Sequence, residues 1–304
     1  MAFPVCRYKE MTYFVTAALW LSLLLMLKSH TLYALELEDQ LYMAEMHDSA
    51  WSFTGSDYSC ELEHEVPQFG VARFRRLAGE NLHFFINSFQ PVPEPVEGFV
   101  NEVSPPWEHN PPDPIRHVIA IQPGLRPMAL PRKQAGWLLT SLTKGQVGSF
   151  SFADWDDSRR QVRVQLSPVN FQKPYRDFKR CLRQLPKSGG FSALRHSTLH
   201  FALDVARVDG KGEQRLDQLA AYIQADERIS RITIEGHADD QGSTGYNKGL
   251  SARRAANVYS YLTGKGVKGR LMTQRHYGES RPKIARRTES ARAANRRVEI
   301  NLER

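Results

Sequence analysis

The 304-residue sequence predicts an α+β protein, with a β-rich first domain (residues 35–187) ahead of an α/β sandwich (residues 191–304). Three observations predict it. Short apolar runs with partial alternation fill the first half, as half-buried strands do. Eleven prolines crowd residues 91–131, where they favour loops and sheet edges over helix. Beyond the linker Pro186-Lys187-Ser188-Gly189-Gly190, strand and helix patterns alternate, as β-α-β units require.

At the N-terminus, Arg7 and Lys9 precede an uncharged apolar run over residues 12–27, and Ala34 follows. Basic flank, apolar run and small residue describe a secretory signal over residues 1–34, cleaved after Ala34. An uncleaved anchor is the alternative, although the sixteen residues of the run fall short of the roughly 20 that usually span a bilayer. On either reading the remainder is exported, which argues against nucleic acid as a partner. Cys60 and Cys181 then remain in an oxidising compartment and read as one disulfide. The competing reading makes Cys60 a nucleophile paired with His64.

The first domain reads as strands at 51–53, 60–66, 82–86, 149–152 and 161–166, with helices at 134–143 and 175–185. The proline-dense stretch reads as a long excursion that one strand, 117–121, interrupts. In the second domain, strands are expected at 198–203, 229–234, 271–277 and 297–302, and helices at 213–224 and 246–264. Gly264 ends the longer helix, where left-handed geometry is cheap. Residues 191–304 carry 21 Lys+Arg against 13 Asp+Glu, a surplus equal to the net charge of +8 for the whole chain. Such a surplus favours an anionic partner, among them acidic lipid and carboxylate-rich cell-wall peptides.

The informative segment is Glu235-Gly236-His237-Ala238-Asp239-Asp240-Gln241-Gly242. On a helical wheel of the following helix, Tyr246, Leu250, Val258, Tyr261 and Leu262 mark an apolar arc of about 180°. Arg254 and Asn247 fall inside that arc, and Arg253 falls outside it. A guanidinium on a core face is costly unless an anion meets it. Asp239, at a strand's C-terminal end, is the nearest candidate, and α/β sheets form ligand sites at such ends. Two readings stay open: a structural Asp–Arg pair, or a site that grips a zwitterionic amino-acid centre, the arginine taking a carboxylate and the aspartate an ammonium. A metal held by His237, Asp239 and Asp240 is a third reading. No phosphate-loop motif is present, and no cofactor is expected.

Four motifs, Gly236-His237-Ala238-Asp239, Leu250-Ser251-Ala252-Arg253-Arg254-Ala255, Tyr277-Gly278-Glu279-Ser280-Arg281-Pro282 and Asn295-Arg296-Arg297-Val298-Glu299-Ile300, resemble the successive motifs of OmpA-like domains. They stand in order over residues 236–300 of the second domain. The resemblance implies noncovalent, non-catalytic binding of the peptidoglycan peptide stem through its diaminopimelate or equivalent residue. It assigns the contacts to Asp239 and Arg254, with Asn247 and Arg297 in support. Where Ala238 stands the family usually has threonine, so one hydroxyl is absent here.

In the first domain, Pro105-Pro106-Trp107, Phe150-Ser151-Phe152-Ala153-Asp154-Trp155 and Phe171-Gln172-Lys173-Pro174-Tyr175 resemble the N-terminal domain of the flagellar MotY family. The two cysteines fall where that family has its pair. The resemblance implies a periplasmic protein of the ring around the flagellar basal body, with ring and stator proteins as partners. A general envelope protein tethered to peptidoglycan is the alternative, and a wall-modifying enzyme another.

Overall fold

Alternation of apolar and polar residues builds two five-stranded sheets from the first part of the chain. One has the order β2 (Trp51–Gly55), β3 (Ser59–Val66), β4 (Gly70–Leu77), β5 (His83–Ser88), β8 (Met128–Leu130), all antiparallel. The other runs β1 (Gln40–Met43), β10 (Gln161–Leu166), β9 (Val147–Ala153), β6 (Val96–Val103), β7 (Arg116–Ile121), with only the β1–β10 pair parallel. In β3 the buried positions are Cys60, Leu62, His64 and Val66, one face of a strand of period two. Phe84 of β5 stacks on Phe150 of β9 at 5.4 Å between ring centroids, so the sheets share one core. Helix α1 (Arg132–Thr143) buries Leu138, Leu139 and Leu142. Helix α2 (Gln172–Gln184) is bound to β3 by a Cys60–Cys181 disulfide, so Cys60 is not a free nucleophile. His64 lies buried four residues further along β3, stacked on Trp51, with Nδ1 2.8 Å from the Ala50 carbonyl.

The computed structural model describes residues 39–104, 116–187 and 189–304, so the expected signal segment lies outside the described residues. Among the described residues no helix is long and apolar enough to cross a membrane. The proline-dense stretch departs from expectation, because β6 and β8 lie within it. Its prolines flank these strands, Pro95 just before β6 and Pro127 just before β8, where a missing N–H removes no ladder bond. Strand β4 is not among the expected strands either. Its outward Arg73 and Arg75 stand opposite Glu63 and Glu61, so charge pairing across strands replaces the usual apolar signal.

The second part is a four-stranded sheet in the order β11 (His196–His200), β14 (Arg297–Glu303), β12 (Arg231–Gly236), β13 (Met272–His276). Strands β12 and β13 are parallel, and β14 is antiparallel to both its neighbours. After the short helix α3 (Phe191–Leu194), helices α4 (Gly210–Ala225) and α5 (Thr244–Gly264) cover one face. Leu216, Leu219, Val258 and Leu262 pack there on Ile232, Ile234, Val298 and Ile300. Asp209 and Ser243 cap α4 and α5 by accepting from Gly212 and Tyr246 N–H groups. A further helix, α6 (Glu289–Asn295), precedes β14, and seven residues are too few for its periodicity to show in sequence.

The hydrophobic core is therefore double, with one cluster over residues 51–185 and another over 194–302. Residues from Gln40 to Arg304 nevertheless form one compact unit. Glu80, after β4, accepts from Arg228 Nη2 at 2.9 Å and from Arg304. Both arginines also bind buried Asp226, Arg228 Nε at 2.8 Å and Arg304 Nε at 2.9 Å. Tyr58 meets Tyr222 edge-on at 5.9 Å.

Candidate functional site

Strand β12 ends against helix α5, and the approach is close. A Cβ on Gly236 would sit 2.1 Å from the Ser251 carbonyl oxygen, so only glycine fits. The chain then turns through residues 237–242. The His237 N–H donates to the Arg297 carbonyl at 2.9 Å and the Ala238 N–H to Gly278 at 2.8 Å. Ser251 Oγ accepts from the Gly278 N–H at 2.9 Å, which ties the 277–282 motif to the helix.

The wheel puts Arg254 and Asn247 inward, and the structure buries both, while Arg253 is exposed. Tyr246 departs from the arc: it is 45% exposed in the first turn, and its hydroxyl donates to Asp204. Arg254 is 0% exposed, yet it makes no direct hydrogen bond to Asp239. Its Nε donates to Val205 O at 2.8 Å, Nη1 to His237 O at 3.0 Å and Nη2 to Ala202 O at 3.1 Å. Its Cζ lies 5.2 Å from the Phe201 ring centroid. Burial pushes the guanidinium down to about 10, and the nearby Asp239 charge opposes that shift. It remains cationic at neutral pH.

Asp239 is instead paired with Arg296, Nη1 to Oδ2 at 3.0 Å, both side chains buried. Its Oδ1 accepts from the Gln241 N–H at 3.2 Å, and its carbonyl accepts from Asn247 Nδ2 at 3.2 Å. Asp239, Asn247, Arg254 and Arg296 thus form one buried polar group at the end of β12. Arg297, expected beside them, stands on the other face of the sheet. Val298, Ile300 and Leu302 point to the helices, so alternation turns Arg297 away, onto Glu299 Oε1 at 2.6 Å. The same alternation identifies Arg296 as an inward residue, a signal that a reading of the Asn295-Arg296-Arg297 motif as a block does not use.

A metal bound by His237, Asp239 and Asp240 has no geometric support. Asp239 is turned to Arg296, and Asp240 accepts from Arg292 Nε at 2.7 Å. Among the described residues, those that do converge are Glu235, His237 and Glu299, with one ligand atom each within 4.8 Å of the others. His237 is buried with both ring nitrogens unpartnered, and burial holds it neutral, with a smaller push from Arg297. Both carboxylates already accept hydrogen bonds, from Tyr277 at 3.1 Å and from Arg297 at 2.6 Å.

Residues 42–186 match the MotY N-terminal domain family, and residues 200–296 match the OmpA family. Over 267 residues the chain is 27% identical to a sodium-type flagellar protein MotY of Vibrio parahaemolyticus, covering 86% of this chain and 90% of that protein. It is 36% identical over 114 residues to a peptidoglycan-associated lipoprotein of Haemophilus influenzae, covering 36% of this chain and 74% of that protein. Among solved structures, the peptidoglycan-associated lipoprotein from Burkholderia pseudomallei matches 35% of this chain and 89% of its own at 27% identity, with a TM-score of 0.34.

Proposed function

Since the chain belongs to the OmpA family through its C-terminal part and carries a MotY N-terminal domain ahead of it, we propose that it is a periplasmic flagellar motor component that binds peptidoglycan. In this reading residues 191–304 hold the wall noncovalently, and residues 35–187 join the ring around the basal body. The wall anchor then supports stator units placed beside the ring. No step of catalysis is involved.

The observation that carries the binding reading is the fully buried Arg254 close to an equally buried Asp239. The three hydrogen bonds of Arg254 go to backbone carbonyls, neutral dipoles that solvate a cation without neutralising it. A ligand carboxylate would supply the missing charge and a stronger, two-pronged bond. Asp239 suits the ammonium of the same amino-acid centre, and the diaminopimelate of the peptide stem offers both groups. Asn247 acts here by holding the Asp239 backbone, and Arg297 acts at a distance, through the His237 backbone and Glu299.

Co-sedimentation with purified sacculi tests the site. Asp239→Asn and Arg254→Lys keep the shapes while altering charge or fork geometry, and both should lose most of the bound fraction. Unchanged binding by variants with native circular dichroism would defeat the assignment. For the motor role, a deletion strain should build flagella and swim poorly. If instead the protein is a general envelope tether, it will be missing from purified basal bodies and motility will be normal.

A further inference from the structure

Half of the eight-charge surplus of residues 191–304 sits in seven consecutive residues. Positions 281–287 read Arg-Pro-Lys-Ile-Ala-Arg-Arg, four cations and no acid. Every residue of the segment is exposed, Ile284 included at 40%. Lys283 and Arg286 make no hydrogen bond or ion pair among the described residues.

Exposed cations are ordinarily a solvated face, but this segment is held in place. Asn295 clamps Ile284 from both sides, its Oδ1 accepting from the Ile284 N–H at 3.0 Å and its Nδ2 donating to the Ile284 carbonyl at 2.9 Å. Arg281 lies over the Tyr277 ring at 3.9 Å, and its carbonyl accepts from Arg297 Nη2 at 3.4 Å. Arg287 reaches Asp240 at 3.5 Å, and Asp240 directly follows Asp239. Arg287 therefore brings the segment to the rim of the buried Asp239 and Arg254 group, while the Lys283 charge also acts on Glu299. Fixing mutually repelling cations there costs free energy that an anion of matching spacing would recover.

We propose that residues 281–287 are a second contact for the peptidoglycan stem, in which Lys283 and Arg286 bind free carboxylates next to the residue held at Asp239 and Arg254. The proposal rests on the wall-binding reading above. It divides the work by chemistry: the buried group recognises one amino-acid centre, and the rim adds a screened, less specific attraction to the rest of the stem.

The test compares two probes on the full exported chain by titration, with the wild type and a Lys283→Gln/Arg286→Gln variant. The probes are free diaminopimelic acid and a disaccharide-tetrapeptide muropeptide. Neither substituted side chain has a hydrogen bond or ion pair to lose, and Glu299, on which the Lys283 charge acts, keeps its bond from Arg297, so folding should be native, checked by thermal denaturation. Two exposed ion pairs correspond to an affinity loss of about two- to tenfold. That loss is expected for the muropeptide alone and should vanish near 1 M salt, where the Debye length is about 3 Å. Equal muropeptide affinity for both proteins at low salt overturns the proposal, as does an equal loss for diaminopimelic acid. So does binding of phosphatidylglycerol vesicles that the double variant abolishes while muropeptide affinity stays unchanged, since that would make the loop a lipid contact. If diaminopimelic acid fails to bind the wild type, the Asp239 and Arg254 reading falls, and the muropeptide comparison still decides the rim.

Discussion

Arg296 Nη1 lies 3.0 Å from Asp239 Oδ2, with both side chains buried, so the aspartate at the end of β12 is anchored by the residue that precedes β14. Arg254, the expected partner, is solvated by three backbone carbonyls instead. Asp239 thus has a structural duty as well as its proposed ligand role.

Removing one member of such a buried pair should be expensive. Asp239→Ala is expected to cost about 3–5 kcal/mol, because it strands a buried guanidinium. Arg253→Ala, one residue from Arg254 but exposed, should change stability by no more than about 0.5 kcal/mol. Urea midpoints measure both. An Asp239→Ala loss no larger than that of Arg253→Ala would show that the pair contributes nothing to folding.

Gly236 sets the distance between β12 and α5. A Cβ there meets the Ser251 carbonyl at 2.1 Å, and backbone on both sides cannot simply rotate away. Gly236→Ala should destabilise by about 1–3 kcal/mol, the range for overpacking, and should weaken sacculus binding by displacing residues 237–239. Native stability together with native binding would contradict the close approach.

The junction around Glu80 should loosen in acid. Burial raises the Glu80 carboxyl, but hydrogen bonds from Arg228 and Arg304 outweigh it and leave the group below its ordinary value. Asp226 is lowered in the same way, against burial, by Arg228 and then Arg304. A carboxylate lowered by folding adds stability that is fully present above its unfolded value and is lost as pH falls through the folded one. Proteolysis at residues 186–190, followed downward from neutral pH with an acid-stable protease, should therefore accelerate below the ordinary carboxylate range. Glu80→Gln should be cut faster at neutral pH and show a flatter profile, and an unaltered profile would count against the mechanism.

The disulfide closes a separation of 121 residues. In the chain-entropy model that is worth up to about 4–5 kcal/mol. Reduction, or Cys60→Ser/Cys181→Ser, should lower the thermal midpoint of the first core and leave that of residues 194–302 less affected. Calorimetry that shows no drop on reduction would rule out this contribution.

Much of the site was legible without the tertiary structure. The helical wheel alone places Arg254 and Asn247 on the buried face of α5, because a period of 3.6 residues fixes which side chains share a side. The expectation of export and the two cysteines beyond residue 34 anticipate the Cys60–Cys181 bridge. Strands β4 and β6 were hidden for different reasons: in β4 the alternation is carried by charge pairs, and around β6 the prolines read as loop although they only flank the strand.

What the sequence determined by itself is therefore local: the face on which each residue lies, the alternation of strand and helix, and the concentration of positive charge between 281 and 287. Which anion meets which cation was decided only by the tertiary structure. Asp239, Arg254 and Arg296 arrive from a strand end, a helix and the approach to another strand. Their pairing depends on how sheet register and the Gly236 contact bring those three segments together, and no periodicity within any one of them records that distance.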